Sequence, residues 1–178
     1  MKTINLHNKT FEIFIPETEI SAIVHAMANQ INNSGIKNPL FIAVLNGSFL
    51  FAADIMRKIN ITNCEISFIK LSSYLGTEST GEVNELIGLG KNIRNRNVVI
   101  LEDIIDTGIT LEKLISLLEK EEVADIKVAT LLFKPEAYKK DIEIDFIGES
   151  IANDFVVGYG LDYDEIGRNL PHIYKLKE

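Results

Sequence analysis

A single cysteine, Cys64, stands among 178 residues, so no disulfide can close within the chain. It falls in an apolar stretch, where a buried, inert thiol is a better reading than a nucleophile. Positive charge is also scarce. Eighteen Lys and Arg face 26 Asp and Glu, for a formal net charge of −8. That balance argues against a nucleic-acid partner, which requires a basic face. No run of 18 apolar residues is present, so no membrane-spanning helix and no membrane partner are expected. The opening MKTINLHNKTFEIF has no apolar core of a secretory signal, which leads to the expectation of a cytoplasmic protein. Two nucleotide-binding signatures are missing as well. Gly88-Leu89-Gly90 and Gly158-Tyr159-Gly160 each lack the third glycine of a dinucleotide fingerprint, and no Gly-x-x-x-x-Gly-Lys-Ser/Thr occurs. The three histidines, His7, His25 and His172, suggest no site.

What remains is ordinary globular composition, 46% apolar and 25% charged, at a length suited to one domain over residues 1–178. Its most informative stretch is VVILEDIIDTGITLEKLISLL, residues 98–118. Val98 to Leu101 read as a strand covered on both faces. Leu111, Leu114, Ile115 and Leu118 recur at helical spacing. Between them lie Glu102, Asp103, Asp106, Thr107, Gly108, Ile109 and Thr110. Ionised Glu102 and Asp103 only accept hydrogen bonds, which suits a sugar diol or a divalent cation. Residues 106–110 offer glycine, hydroxyls and unpaired helix amides, which suit a phosphate. A diol beside a phosphate is a ribose 5-phosphate. The spacing Asp103-x-x-Asp106-Thr107 does not fit the Asp-x-Asp-x-Thr of a haloacid-dehalogenase-type phosphatase, and the plain alternative is an acidic, solvated loop.

Along the chain, residues 17–34 read as a helix, with Ile20, Ile23, Val24, Met27 and Ile31 on one face. Residues 39–45 read as a buried strand and 47–59 as a helix apolar nearly all round. Further strands are expected at 65–71, 98–101, 127–133, 144–147 and from 154. Alternation of strands and helices implies a parallel α/β sheet. Residues 72–91 are rich in Ser, Thr and Gly and are long for a connector, which suggests a mobile lid or disorder. Four other positions have plain structural readings. Asn46 serves as a helix cap, Lys134 as a solvated strand end, Phe155 as core, and Asp162 with Arg168 as a surface ion pair of small worth.

The 13 residues VVILEDIIDTGIT resemble the signature of the type I phosphoribosyltransferases, which bind 5-phosphoribosyl 1-diphosphate (PRPP). The Glu-Asp-Ile-Ile-Asp-Thr-Gly version is similar to the 6-oxopurine branch, the hypoxanthine-guanine phosphoribosyltransferases. LNGSFLFAAD at 45–54, SSYLGTESTG at 72–81, LLFK at 131–134 and DFVVGYGLDYDEIGR at 154–168 agree in order and spacing. The resemblance covers roughly residues 10–176.

The resemblance implies a parallel-sheet phosphoribosyltransferase fold with a lid over 72–91 and a small hood built from the N-terminal segment and 150–178. It implies transfer of phosphoribosyl from PRPP to N9 of hypoxanthine or guanine, giving IMP or GMP and pyrophosphate. Glu102, Asp103, Asp106, Thr107, Gly108, Ile109 and Thr110 would bind PRPP and its 5-phosphate, with Asp106 the proton acceptor. Asn46, Gly47 and Arg168 would hold pyrophosphate; Asn46 stands where many relatives carry Lys or Arg. Lys134, Phe155, Val156 and Asp162 would bind the purine, and Ser73 and Tyr74 would act from the lid. Magnesium would be held by Glu102, Asp103 and Asp162. A cis peptide is expected at Leu45–Asn46, and assembly as a homodimer or homotetramer. A xanthine-preferring transferase and a non-catalytic regulator of the same fold remain as alternatives. Lys134 argues against adenine, whose 6-amino group donates where an ammonium needs an acceptor.

Overall fold

The computed structural model describes residues 3–71, a short strand at 85–87, and residues 92–177. Thirteen elements appear among them. They are β1 (Thr3–Leu6), β2 (Lys9–Ile15), α1 (Glu17–Asn33), β3 (Leu40–Val44), α2 (Phe49–Met56), β4 (Glu65–Leu71), β5 (Glu85–Ile87), β6 (Asn97–Ile105), α3 (Ile109–Lys120), β7 (Asp125–Phe133), β8 (Phe146–Ser150), β9 (Val156–Val157) and β10 (Ile173–Leu176). The expected lid, with Ser73 and Tyr74, lies outside the described residues apart from the backbone of β5.

The main sheet has the order β5-β4-β3-β6-β7-β8, parallel throughout except for β5. Its central strands are apolar because both faces are covered: all five residues of β3 are buried. One face carries Val99, Leu101 and Ala43 against α1 and α2, through Val24, Met27, Phe51 and Ile55. The other carries Val98, Ile100 and Ile42 against Leu111, Leu114 and Leu118 of α3. Those three leucines follow the i, i+3, i+7 spacing that puts them on one stripe of α3. Each buried leucine contributes about 1.5–3 kcal/mol through area removed from water.

From β3 the chain crosses by α2 to β4 on one side, and from β6 by α3 to β7 on the other. The strand order therefore reverses between β3 and β6, and a crevice opens at their C-terminal ends, the usual ligand position in such sheets. A second sheet, β1-β2-β10-β9, is antiparallel and joins the two ends of the chain above that crevice.

Several boundaries differ from the sequence reading. The strand expected at 98–101 continues to Ile105, because pairing with β7 carries on through Glu102↔Thr130 and Ile105↔Phe133 despite the carboxylates. The strand expected at 154–158 is only Val156–Val157 and belongs to the small sheet. Cys64 precedes β4 and is half-buried against the core. His172, read as uninformative, accepts the Glu17 N–H through Nδ1 at 2.9 Å. It thereby satisfies a donor at the start of α1, where Pro16 supplies no side-chain cap.

Candidate functional site

Four segments converge on the crevice. The first is the end of β6 with its turn into α3. Glu102 is 5% exposed and faces the α3 side, where with residues 104–111 it lines a cradle of about 100 Å³. Asp103, next along a strand whose side chains alternate, faces the other way. A methyl placed on Gly47 would sit 1.7 Å from Asp103 Oδ2, so that carboxylate occupies the space a side chain at 47 would need. Gly108 takes φ +80° at the N-cap of α3. This is the left-handed region that glycine enters without a Cβ penalty, and it leaves the first amides of α3 turned toward the cradle.

The second segment is the turn after β3. The Leu45–Asn46 peptide is cis, as the resemblance implies. The helix cap is Ser48 and not Asn46; the Ser48 hydroxyl donates back to Val44 O at 2.5 Å. Asn46 instead forms part of the turn and offers its carbonyl to the Phe49 N–H.

The third segment follows β9. Gly160, at φ +100°, approaches the Gly47 carbonyl so closely that a methyl there would lie 2.0 Å from the oxygen. Arg168 braces the same turn: its Nη1 donates to Gly160 O at 2.9 Å and its Nη2 pairs with Asp162 Oδ1 at 2.8 Å. The Asp162–Arg168 pair is thus partly buried beside the crevice and not a free surface pair. Phe155 is 43% exposed instead of core, with the Lys9 ammonium 5.3 Å from its ring centroid. Val156 is buried and pairs with Lys175 in the small sheet.

The fourth is the end of β7. Lys134 is 7% exposed, so it is not the solvated strand end its sequence position suggests. Its Nζ donates to Asp106 Oδ2 at 3.0 Å. Register explains the meeting: Ile105 pairs with Phe133 in the parallel ladder, so residues 106 and 134 emerge side by side. The segment beyond Lys134 folds back on the cradle, with the Lys139 N–H reaching Thr107 O.

The two adjacent carboxylates are electrostatically unsettled. Burial, and then repulsion from Asp103, holds the Glu102 carboxyl well above its ordinary range. Burial likewise pushes Asp103 up to about 6, with Asp162 adding to the rise; bonds from the Asp103 and Ile104 amides and the Arg168 charge oppose it. A proton held more tightly in the folded state than in the unfolded chain means that folding loses stability as pH rises from about 4 to the folded value near 6, and regains none above it. Asp103→Asn should therefore stabilise the ligand-free protein at pH 8 by about 1–3 kcal/mol and much less at pH 4. Thermal melts at both pH values check this. An equal change at both would remove the charge explanation.

No group of three His, Cys, Asp or Glu side chains among the described residues forms a metal cage. A magnesium ion held by one or two carboxylates and by its ligand's own oxygens needs no such cage, and a raised, acceptor-only pair is the kind of donor set it neutralises. Asp103 and, across the crevice, Asp162 offer such oxygens from one side of β6, and Glu102 offers its own from the other face.

Sequence reasoning missed Gly160, Lys9 and the return of residues 138–140 onto Gly108. For Gly160 a signal existed, since two glycines flank Tyr159, itself at φ +49°. For the others the partner lies far along the chain.

The phosphoribosyl transferase domain family matches residues 16–164. A hypoxanthine-guanine phosphoribosyltransferase of Staphylococcus aureus is 42% identical over 174 residues, 97% of this chain and 97% of its own. A crystal structure of a hypoxanthine phosphoribosyltransferase from Staphylococcus aureus superposes with a TM-score of 0.85 at 41% identity, over 93% of this chain and 91% of that one. A Bacillus anthracis hypoxanthine-guanine phosphoribosyltransferase does so with 0.84 at 40%, over 94% and 97%. With a switch-point crevice that sets a glycine-capped helix start beside two carboxylates, the chain belongs to the phosphoribosyltransferase family, in its hypoxanthine-guanine branch.

Proposed function

We propose that the chain transfers the 5-phosphoribosyl group of PRPP to N9 of hypoxanthine or guanine, yielding IMP or GMP and pyrophosphate. The observation that carries this reading is the Lys134–Asp106 pair. It sets a donor-only ammonium beside an acceptor-only carboxylate. A 6-oxopurine with its proton on N7 presents the complementary edge, an accepting O6 next to a donating N7–H. Adenine presents a donating amino group to the ammonium and is disfavoured.

The roles follow from position. The amides and hydroxyls of residues 106–110 hold the 5-phosphate. Glu102 and Asp103, on the two faces of β6, accept from the ribose hydroxyls. Phe155 offers an exposed ring for stacking, and Val156 its backbone. As N9 bonds to the anomeric carbon, the bond from that carbon to pyrophosphate breaks and its electron pair leaves with the pyrophosphate. Asp106 takes the N7 proton, restoring a neutral purine. Amides of the Asn46–Gly47 turn and the Arg168 fork receive the leaving group. Glu102, Asp103 and Asp162 would hold magnesium, which would supply further positive charge to the pyrophosphate. Such an ion would also offset the net charge of −8 against a strongly anionic substrate.

The proposed setting is the cytoplasm. The proposed assembly is a homodimer or homotetramer, which sedimentation would read directly.

Lys134→Ala tests the base reading. Loss of one charged hydrogen bond contributes roughly 1.5–3 kcal/mol, so hypoxanthine and guanine should bind about 10–100-fold more weakly while PRPP affinity holds. Equal losses for base and PRPP would place Lys134 elsewhere.

A further inference from the structure

The cradle has a charge problem that its own residues do not solve. Residues 106–110, Asp-Thr-Gly-Ile-Thr, contain no cation. The ammonium of Lys134 beside them is already committed to Asp106. One turn into α3 stands Glu112, the acidic residue of that helix's first turn, whose N–H donates to the Gly108 carbonyl. A carboxylate near a helix N-terminus is favourable in an empty protein. It is unfavourable once a phosphate dianion must occupy the same end.

Lys140 addresses this from the segment that follows β7. Its stem lies against Gly108, with Cγ 2.9 Å from where a methyl on that glycine would sit. Its Nζ donates to Glu112 Oε2 at 2.6 Å. The Tyr138 ring flanks the same glycine, and its hydroxyl donates to Ile142 O, which fixes the turn that delivers Lys140. The pair spans 28 residues and is only partly exposed on the lysine side, so it is not a local helix pair.

We infer that Lys140 is a positioning residue for the 5-phosphate: by holding Glu112, it cancels the one carboxylate on the first turn of α3 and lets that helix end accept a dianion. The inference rests on the reading of residues 106–110 as the phosphate cradle. Lys140 acts through Glu112 and need not touch the substrate.

A charge cycle separates this from simple packing. Lys140→Met keeps the stem over Gly108 and removes the ammonium. It should raise the KM for PRPP about three- to tenfold, the size expected of a partly exposed charge at a helix end, with kcat and the KM for hypoxanthine nearly unchanged. Glu112→Gln alone should not weaken PRPP. Adding Glu112→Gln to Lys140→Met should restore the PRPP KM to within about twofold of the parent, because the repulsion itself is gone. Ribose 5-phosphate titrated by calorimetry into the same four proteins gives the comparison without turnover. A parental PRPP KM in Lys140→Met, or a double variant no better than the single one, overturns the inference. Failure of the parent protein to bind ribose 5-phosphate at all would instead overturn the cradle reading beneath it.

Discussion

Asp106→Asn should form IMP about 10²–10⁴-fold more slowly than the parent, the usual cost of removing a positioned general base. The expected signature is a fall in kcat with PRPP affinity changed far less. Asparagine keeps the shape of the side chain and can still accept from Lys134 through its amide oxygen. It cannot take a proton from N7. The substitution also leaves the Lys134 ammonium, 7% exposed, without a counter-charge. Some loss of stability is therefore expected alongside, because an unpaired buried charge is costly. The two effects separate in measurement, since kcat per folded molecule reports the first and a melt the second. Parental turnover in a folded Asp106→Asn protein would remove Asp106 from the chemistry.

Gly160→Ala should be nearly as damaging, through geometry and not chemistry. The added methyl would lie 2.0 Å from the Gly47 carbonyl oxygen, a backbone atom that no side-chain rotation can clear. The residue would also sit at φ +100°, which an L side chain adopts only with strain. Overpacking and backbone strain each cost about 1–3 kcal/mol. In a chain of this length the two together lower the melting temperature by roughly 5–20 °C. The turn that yields is Asn46–Gly47, so PRPP affinity should fall at least about tenfold, while a base-only contact such as that at Lys134 is spared. Gly47→Ala provides a contrast. There the obstacle is the Asp103 carboxylate at 1.7 Å, so the expected loss is greatest in the magnesium dependence. An alanine at 160 that leaves both melting and PRPP binding unchanged would mean the two turns do not press on each other.

The centre of the sheet and its cradle were legible in the sequence because each signal there is local. An apolar run, a glycine at the helix entry and leucines at 111, 114 and 118 specify strand, turn and helix without reference to the rest of the chain. The carboxylates hid the last four residues of β6, since a polar pair ends an apolar run even where ladder pairing continues to Ile105. The small sheet was harder. β2 does alternate, with Phe11 and Ile15 buried, but its partner β10 lies more than 150 residues away and is four residues long. Local patterning gives no sign of such pairing. The Lys134–Asp106 meeting falls between these cases. Neither residue announces the other in sequence, yet parallel neighbours joined by one helical crossover bring their ends together as a matter of register. Likewise the exposure of Phe155 depends on the small sheet turning its ring outward, a tertiary outcome that its apolar character alone argues against.

The decisive property is which purine the Lys134–Asp106 pair selects. The direct measurement is pyrophosphate release by the full chain with PRPP and magnesium, supplied in turn with hypoxanthine, guanine, xanthine and adenine. The predicted result is turnover with hypoxanthine and guanine, each giving one nucleotide per pyrophosphate, and none above background with adenine. Turnover with adenine at a comparable rate, or activity confined to xanthine, would contradict it.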